Sequence, residues 1–380
     1  MRALHICARF SPVSETFIYD YIRTMPSLGV ETAVVTSRRE NADLFPLEHV
    51  LEVPDLKELS LGRLWSKLRG RTKPRAWPRT RMRAVEHAVS QWRPDLLHAH
   101  FGHVGASSLA LARSLKVPLV VSFHGRDAFQ FPRDPRWRGL YSRMFESGAR
   151  FTAVSEYMRN ELAALRCPAE AMSIVHVGID PGLFRFREPR RDAGAVRFVS
   201  VGRMVEKKGF ADCVRAFHLA QGQGANIELS IIGDGPERET VQHLAASLGL
   251  GSPVSFLGQL PRPQVVEAMA SADAFVLASR TAADGDKEGI PTVLMEAEFI
   301  GLPIVSTTHS GIPEAIPEPS RRFLAREADP DDLAAKILDL CGQAQSWPEI
   351  AELGRKHVEA NFNLATETEK LIDVYRAALG

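Results

Sequence analysis

The chain has 380 residues, 45% of them hydrophobic and 24% charged, and its 47 Lys and Arg nearly cancel its 46 Asp and Glu. That length suits two domains each able to bury a core, and the charge balance excludes a global basic field of the nucleic-acid type. The four cysteines, Cys7, Cys167, Cys213 and Cys341, include no Cys-x2-Cys pair, which argues against a zinc site or a disulfide framework and for a reducing compartment.

Met1 leads directly into a strand pattern, without the charged head and apolar run of a signal segment, and no stretch approaches about 18 apolar residues. A cytoplasmic protein is expected. Residues 3 to 9 read as a strand, residues 10 to 16 as a loop, and Phe17 to Leu28 as an amphipathic helix. Ser14 or Thr16 caps that helix or, equally, Ser14 meets a ligand phosphate at its start. Further strands are expected at Glu31 to Thr36, Leu96 to Phe101, Pro118 to Phe123, Phe151 to Val154 and Ser173 to Val177, with helical patterns between most of them. Such alternation predicts a parallel sheet covered by helices on both faces.

One stretch breaks the rhythm. From Lys57 to Arg83 there are ten Lys or Arg against a single acid, Glu58, interleaved with Trp65, Trp77 and several leucines. Basic charge with Trp and Leu suits an anionic membrane surface, with Arg69, Arg71, Lys73, Arg75, Trp65 and Trp77 as docking residues; the plain alternative is a solvated loop. Nucleic acid is not expected as a partner. His98, His100 and His103 cluster after a strand, but no carboxylate or cysteine completes a metal site within the motif. His124 and Asp127 follow the strand ending at Phe123, where open α/β sheets place ligand-binding groups; a satisfied core histidine is the alternative.

Gly178 to Asp192 reads as a linker. A second alternation then runs through strands at Phe198 to Val201, Ile227 to Ile232, Val254 to Leu257, Ala274 to Leu277, Pro303 to Ser306 and Phe323 to Ala325. Two α/β halves facing each other across a cleft are expected. Arg203 and Lys208 fall at the end of the first of these strands and the start of the next helix, and two cations at one crevice lip answer a diphosphate without a metal ion. Glu288-Gly289-Ile290 ends a polar loop, and Pro291 is expected at the first position of a helix whose free N–H groups form an anion site at Gly289 and Ile290. Glu288 in the loop and Glu296 about two turns inside the helix flank that site, where ionised carboxylates suit sugar and ribose hydroxyls.

Glu288 and Glu296 resemble the Glu-x7-Glu signature of the family 4 retaining glycosyltransferases. Ser-Glu-Thr-Phe-Ile at 14 to 18, His-Ala-His-Phe-Gly at 98 to 102 and Asp-Gly-Asp-Lys-Glu-Gly-Ile-Pro at 284 to 291 are similar to the exopolysaccharide branch of that family, as in colanic acid and amylovoran synthesis. The resemblance covers nearly the whole chain. It implies a GT-B fold of two Rossmann-like, doubly wound domains: residues 1–185 for the acceptor, 186–360 for a nucleotide-sugar donor, and a final helix at 361–380 crossing back to the first. It also implies that Arg203 and Lys208 hold the diphosphate, Glu288 the transferred sugar and Glu296 the ribose, with His124 bordering the reacting sugar. Where many family members carry a Gly-Gly pair in the first loop, this chain has Val13-Ser14-Glu15.

Retention by front-face attack is implied, with the departing phosphate taking the acceptor proton, so that catalysis is positioning and charge stabilisation. Asp284-Gly285-Asp286 looks like the Asp-x-Asp of metal-dependent transferases, but the two cations make a metal unnecessary. No cofactor is expected. The acceptor would be a glycan or lipid-linked glycan on the inner face of the cytoplasmic membrane. A nucleotide-sugar epimerase of the same fold, or a protein that binds nucleotide-sugar without transfer, are the alternatives.

Overall fold

The structure, a computed structural model, describes residues 1–12, 15–53, 79–89, 92–189 and 194–380. Ser14 and the expected docking residues Trp65, Arg69, Arg71, Lys73, Arg75 and Trp77 lie outside the described residues. The chain divides into two units, Met1–Gly178 with Ala365–Gly380, and Ile179–Leu364.

The first unit holds a sheet of β1 (Arg2–Cys7), β2 (Glu31–Thr36), β3 (Val50–Glu52), β4 (Leu96–His100), β5 (Leu119–Phe123), β6 (Arg150–Ala153) and β7 (Met172–Ile174). Its order is β3-β2-β1-β4-β5-β6-β7, and every pairing is parallel. The second unit repeats the plan with β8 (Val196–Val201), β9 (Ile227–Ile232), β10 (Val254–Gly258), β11 (Ala274–Val276), β12 (Ile304–Thr307) and β13 (Leu324–Ala325), in the order β10-β9-β8-β11-β12-β13. In both sheets the chain winds outward from the first strand, returns, and winds the other way. The reversal falls between β1 and β4 in one unit and between β8 and β11 in the other, which is where doubly wound sheets open a crevice at the carboxyl ends of the strands.

Strands β4, β5 and β12 are buried along their whole length, as expected of parallel strands covered on both faces. The helix after β1 spans Thr16–Thr24, shorter than its pattern suggested, because Pro26 has no N–H for the next helical bond. The chain tightens there into a 3-10 turn, Met25–Leu28, and leaves it through Gly29 at φ +78°. Strand β3 escaped the sequence reading; it is three residues long, lies at the sheet edge and is only partly buried.

The two passages of chain at the edge of the second unit run side by side: Ile179 N–H donates to Phe362 O, and Leu364 N–H donates to Ile179 O. The final helix, Leu364–Leu379, belongs from Ala365 onward to the first unit. There Glu367 Oε2 accepts the His176 N–H at 2.7 Å, and the Tyr375 hydroxyl lies 2.6 Å from His98 Nδ1.

Candidate functional site

The carboxyl ends of β8 and β11 bring the second unit's charged residues together. After Val201 the chain passes Gly202 and Arg203 and makes one 3-10 turn at Glu206–Lys208. It then passes through Gly209 at φ +66°, where a Cβ would stand 1.8 Å from Ala278 O. Only glycine allows that approach, and the approach sets the lysines of the first loop against the carboxylates of the loop that follows β11.

Lys208 Nζ lies 3.4 Å from Glu288 Oε1, and Lys207 Nζ lies 3.6 Å from the same oxygen. Lys207 Nζ is also 3.2 Å from Asp286 Oδ2. Arg203 is exposed and has no ion pair among the described residues. The cluster therefore sets three cations against two carboxylates, with the N-terminus of the helix Thr292–Ile300 adding positive potential. Burial lowers the pKa of the Lys208 ammonium; Glu288 opposes that, while Lys207 and Arg203 add to it. Burial pushes Glu288 the other way, up, but Lys208 and Lys207 outweigh it and hold its carboxyl at about 2. An anion entering beside Lys208 would meet unbalanced positive charge.

Pro291 precedes the helix instead of opening it, with ψ 115° and its carbonyl accepting the Leu294 N–H. Glu296 consequently sits a little over one turn in, its Oε1 3.9 Å from Arg262 Nη2. The Asp284 carboxylate accepts the Asp286 N–H at 2.9 Å, and Asp286 pairs with Lys207, so both members of the Asp-x-Asp shape this loop.

Behind the loop stand residues that the sequence reading missed. The Glu288 N–H donates to His309 Nε2 at 3.1 Å, and the Ser310 hydroxyl donates to Glu288 O at 2.7 Å. His309 Nδ1 is 2.8 Å from Glu327 Oε1, and Glu327 Oε2 accepts from the Thr281 N–H at 2.8 Å and its hydroxyl at 3.0 Å. Burial raises the Glu327 pKa, but His309 and the Thr281 N–H and hydroxyl together outweigh it and hold the carboxyl at about 2. His309 and Ser310 follow β12 at the same carboxyl edge that flagged Arg203, so the rule that found one applies to the others.

In the first unit His124 follows β5, packed between the rings of Phe17 and Phe101 at 4.9 Å each and stacked on His100 at 5.8 Å. Both its ring nitrogens are buried without a hydrogen-bond partner among the described residues, and burial lowers its pKa to about 3. Asp127 underlies it: its carboxylate accepts the N–H groups of Gly102 at 2.7 Å, His124 at 3.1 Å and Gly125 at 2.9 Å. Phe101 has φ 75°, and a Cβ on the following Gly102 would stand 2.1 Å from the Phe123 ring, so this turn is strained as well as tied down.

His5, His98 and His100 offer ring nitrogens within 4.8 Å of one another. His98 meets Tyr375 and Ser122, and His5 Nδ1 lies 3.1 Å from His100 Nε2, a polar network inside the sheet.

Residues 14–183 match the family described as Glycosyltransferase Family 4, and residues 184–357 match Glycosyl transferases group 1. The amylovoran biosynthesis glycosyltransferase AmsK of Erwinia amylovora is 36% identical over 286 residues, which is 74% of this chain and 69% of the relative. The chain belongs to family 4 of the glycosyltransferases. A second relative of this glycosyltransferase, the putative colanic acid biosynthesis glycosyltransferase WcaL of Escherichia coli K12, is 31% identical over 293 residues, 76% of this chain and 72% of the relative. Among solved structures, Anabaena Alr3699/HepE in complex with UDP and glucose superposes with a TM-score of 0.77 at 18% identity, covering 99% of this chain and 100% of that one. The glycosyltransferase of Rickettsia africae does so with 0.78 at 15% identity, covering 100% and 98%. The fold of this glycosyltransferase is GT-B.

The depressed Glu288 carboxyl makes the stability of this glycosyltransferase depend on pH. Its ion pairs stabilise the fold fully above the ordinary 4.5, and that stabilisation is lost as pH falls toward about 2. The stability difference between the native protein and Glu288→Gln, measured by urea unfolding, should therefore shrink between pH 4.5 and 2. A difference that stays constant over that range would mean that Glu288 is not held ionised.

Proposed function

We propose that this glycosyltransferase moves a sugar from a nucleotide-sugar donor to a glycan or lipid-linked glycan acceptor in exopolysaccharide synthesis, with retention at the anomeric carbon and without a metal ion. The observation that carries the reading is the gathering of Arg203, Lys207, Lys208 and Glu288 at the switch point of the second sheet, beside a helix N-terminus. Relatives named for amylovoran and colanic acid biosynthesis support the pathway class, and the HepE complex with UDP and glucose supports the donor class.

In this reading Arg203 and Lys208 take the diphosphate, with the backbone at Gly289 and Ile290 beside the helix start. Glu288 accepts hydroxyls of the transferred sugar and Glu296 those of the ribose. His124, neutral and unpartnered, borders the reacting sugar, while Asp127 acts through the turn that it ties down. The bond from the anomeric carbon to the phosphate oxygen breaks as the acceptor oxygen bonds the same face of that carbon. The acceptor proton passes to the departing phosphate oxygen, so no general base is required from the protein.

Lys207 and the internal bonds of the Asp284–Asp286 turn favour metal independence, since both carboxylates already have protein partners. The epimerase reading is less favoured, because both relatives are named as transferases. Among the described residues no helix is long and apolar enough to cross a membrane, and docking through the basic stretch remains part of the proposal. Thermal-shift screening of UDP-, GDP- and ADP-sugars in EDTA tests the donor and metal claims together. One donor class at 100 times its Kd should add about 2.7 kcal/mol of stability with chelator present. Stabilisation that appears only after a divalent ion is added would overturn metal independence.

A further inference from the structure

The loop from Thr281 to Glu288 is tied at both ends to one pair of side chains. At its start, the Thr281 N–H and hydroxyl both donate to Glu327 Oε2. At its end, the Glu288 N–H donates to His309 Nε2 at 3.1 Å. Between those ends His309 Nδ1 lies 2.8 Å from Glu327 Oε1, an electrostatic contact not aligned as a hydrogen bond, and His309 is fully buried. The next two residues complete the hold, Ser310 on Glu288 O at 2.7 Å and the Gly311 N–H on Gly289 O at 3.3 Å.

A backbone amide can only donate, so Nε2 must be the accepting nitrogen and the imidazole proton belongs on Nδ1, beside the Glu327 carboxylate. We propose that Glu327 and His309 are a positioning pair for sugar transfer: Glu327 fixes the tautomer of His309, and His309 fixes the main chain of Glu288, so that its carboxylate stays aimed at the lysines and the transferred sugar. The inference rests on the reading of Glu288 as the sugar-facing carboxylate. Neither residue touches the donor in this account.

Glu327→Gln is the decisive variant, because it keeps the size of the side chain but removes the carboxylate charge beside His309 Nδ1. The exchange favours the Nε2–H tautomer, which would point a donor at the Glu288 N–H, much as the Asp→Asn change does in a serine protease triad. His309→Phe is the companion, removing both nitrogens. Circular dichroism and melting curves establish that each variant is folded, and the isosteric Glu327→Gln keeps the test open if His309→Phe is not.

In the native protein, nitrogen-15 NMR of the imidazole should show the Nδ1–H tautomer for His309. In Glu327→Gln, exchange of the Glu288 amide should speed at least about tenfold and kcat should fall about 100-fold, the scale of a misplacement near 1 Å, while affinity for free nucleoside diphosphate changes less than about threefold. An Nε2–H tautomer in the native protein would overturn the proposal. So would a folded variant that keeps kcat within about twofold, or one that loses nucleotide affinity and kcat in equal measure, the mark of a general structural defect. If the native protein neither binds nucleoside diphosphate nor transfers sugar, the reading of the site fails, and the tautomer and amide exchange still decide the bridge.

Discussion

Lys208→Ala should slow sugar transfer by roughly 100- to 1000-fold, because it removes a buried cation from the place where the leaving diphosphate gathers charge. Loss of one such preorganised contact typically costs about 2.7 to 4 kcal/mol of barrier. The burial that lowers the Lys208 pKa also raises the worth of an added anion, since few waters screen it there. Glu288 would keep Lys207 at 3.6 Å, so the carboxylate is not stranded and the fold should survive. Arg203→Ala should show a loss of similar kind with no change in melting temperature, as its side chain is exposed and has no ion pair among the described residues. Steady-state kinetics with the donor identified by thermal shift, beside melting curves, read both variants. Near-native turnover in either one removes that residue from the diphosphate site.

The second large effect separates the two glutamates. Glu288→Ala should lower turnover of the full donor by a comparable factor while leaving affinity for free nucleoside diphosphate almost unchanged, because its partner hydroxyls belong to the sugar being moved. Glu296→Ala should weaken the free nucleoside diphosphate, since its partner is the ribose; hydrogen bonds to a charged group contribute about 1.5 to 3 kcal/mol. The geometry sharpens the contrast, for Glu288 is tied to two lysines whereas Glu296 Oε1 lies 3.9 Å from Arg262 Nη2. Calorimetric titration of nucleoside diphosphate into both variants decides it. Equal losses of nucleotide affinity would show that the carboxylates do not divide the donor between them.

Much of this was legible in the sequence because parallel strands buried on both faces write themselves as short apolar runs. Glu31–Thr36 and Ile227–Ile232 coincide with their expected limits. Arg203 and Lys208 stood out because they lie in the loop and turn that follow such a run, and Glu288 because a glycine and a proline mark the helix start after it. Other features leave weaker traces. Strand β3 is three residues at an edge, two half-buried and one exposed, too short for any period to register. Lys207 precedes Lys208 in one charged turn, and its contacts with Asp286 and Glu288 depend on a loop about 80 residues away. His309 and Glu327 come from the ends of different strands, and only the order β11-β12-β13 brings them beneath Glu288. Asp127 read as a ligand group because of its place after β5, and the structure shows its oxygens filled by three backbone N–H groups.

The central claim is retaining, metal-independent transfer from a nucleotide-sugar, and proton NMR of a single reaction tests it most directly. With the stabilising donor, a lipid-linked glycan acceptor and EDTA in one tube, nucleoside diphosphate should appear in step with a glycosylated acceptor whose new anomeric proton has the same configuration as the donor's. An inverted anomeric signal, or nucleoside diphosphate released with free sugar and no glycosylated acceptor, would contradict it.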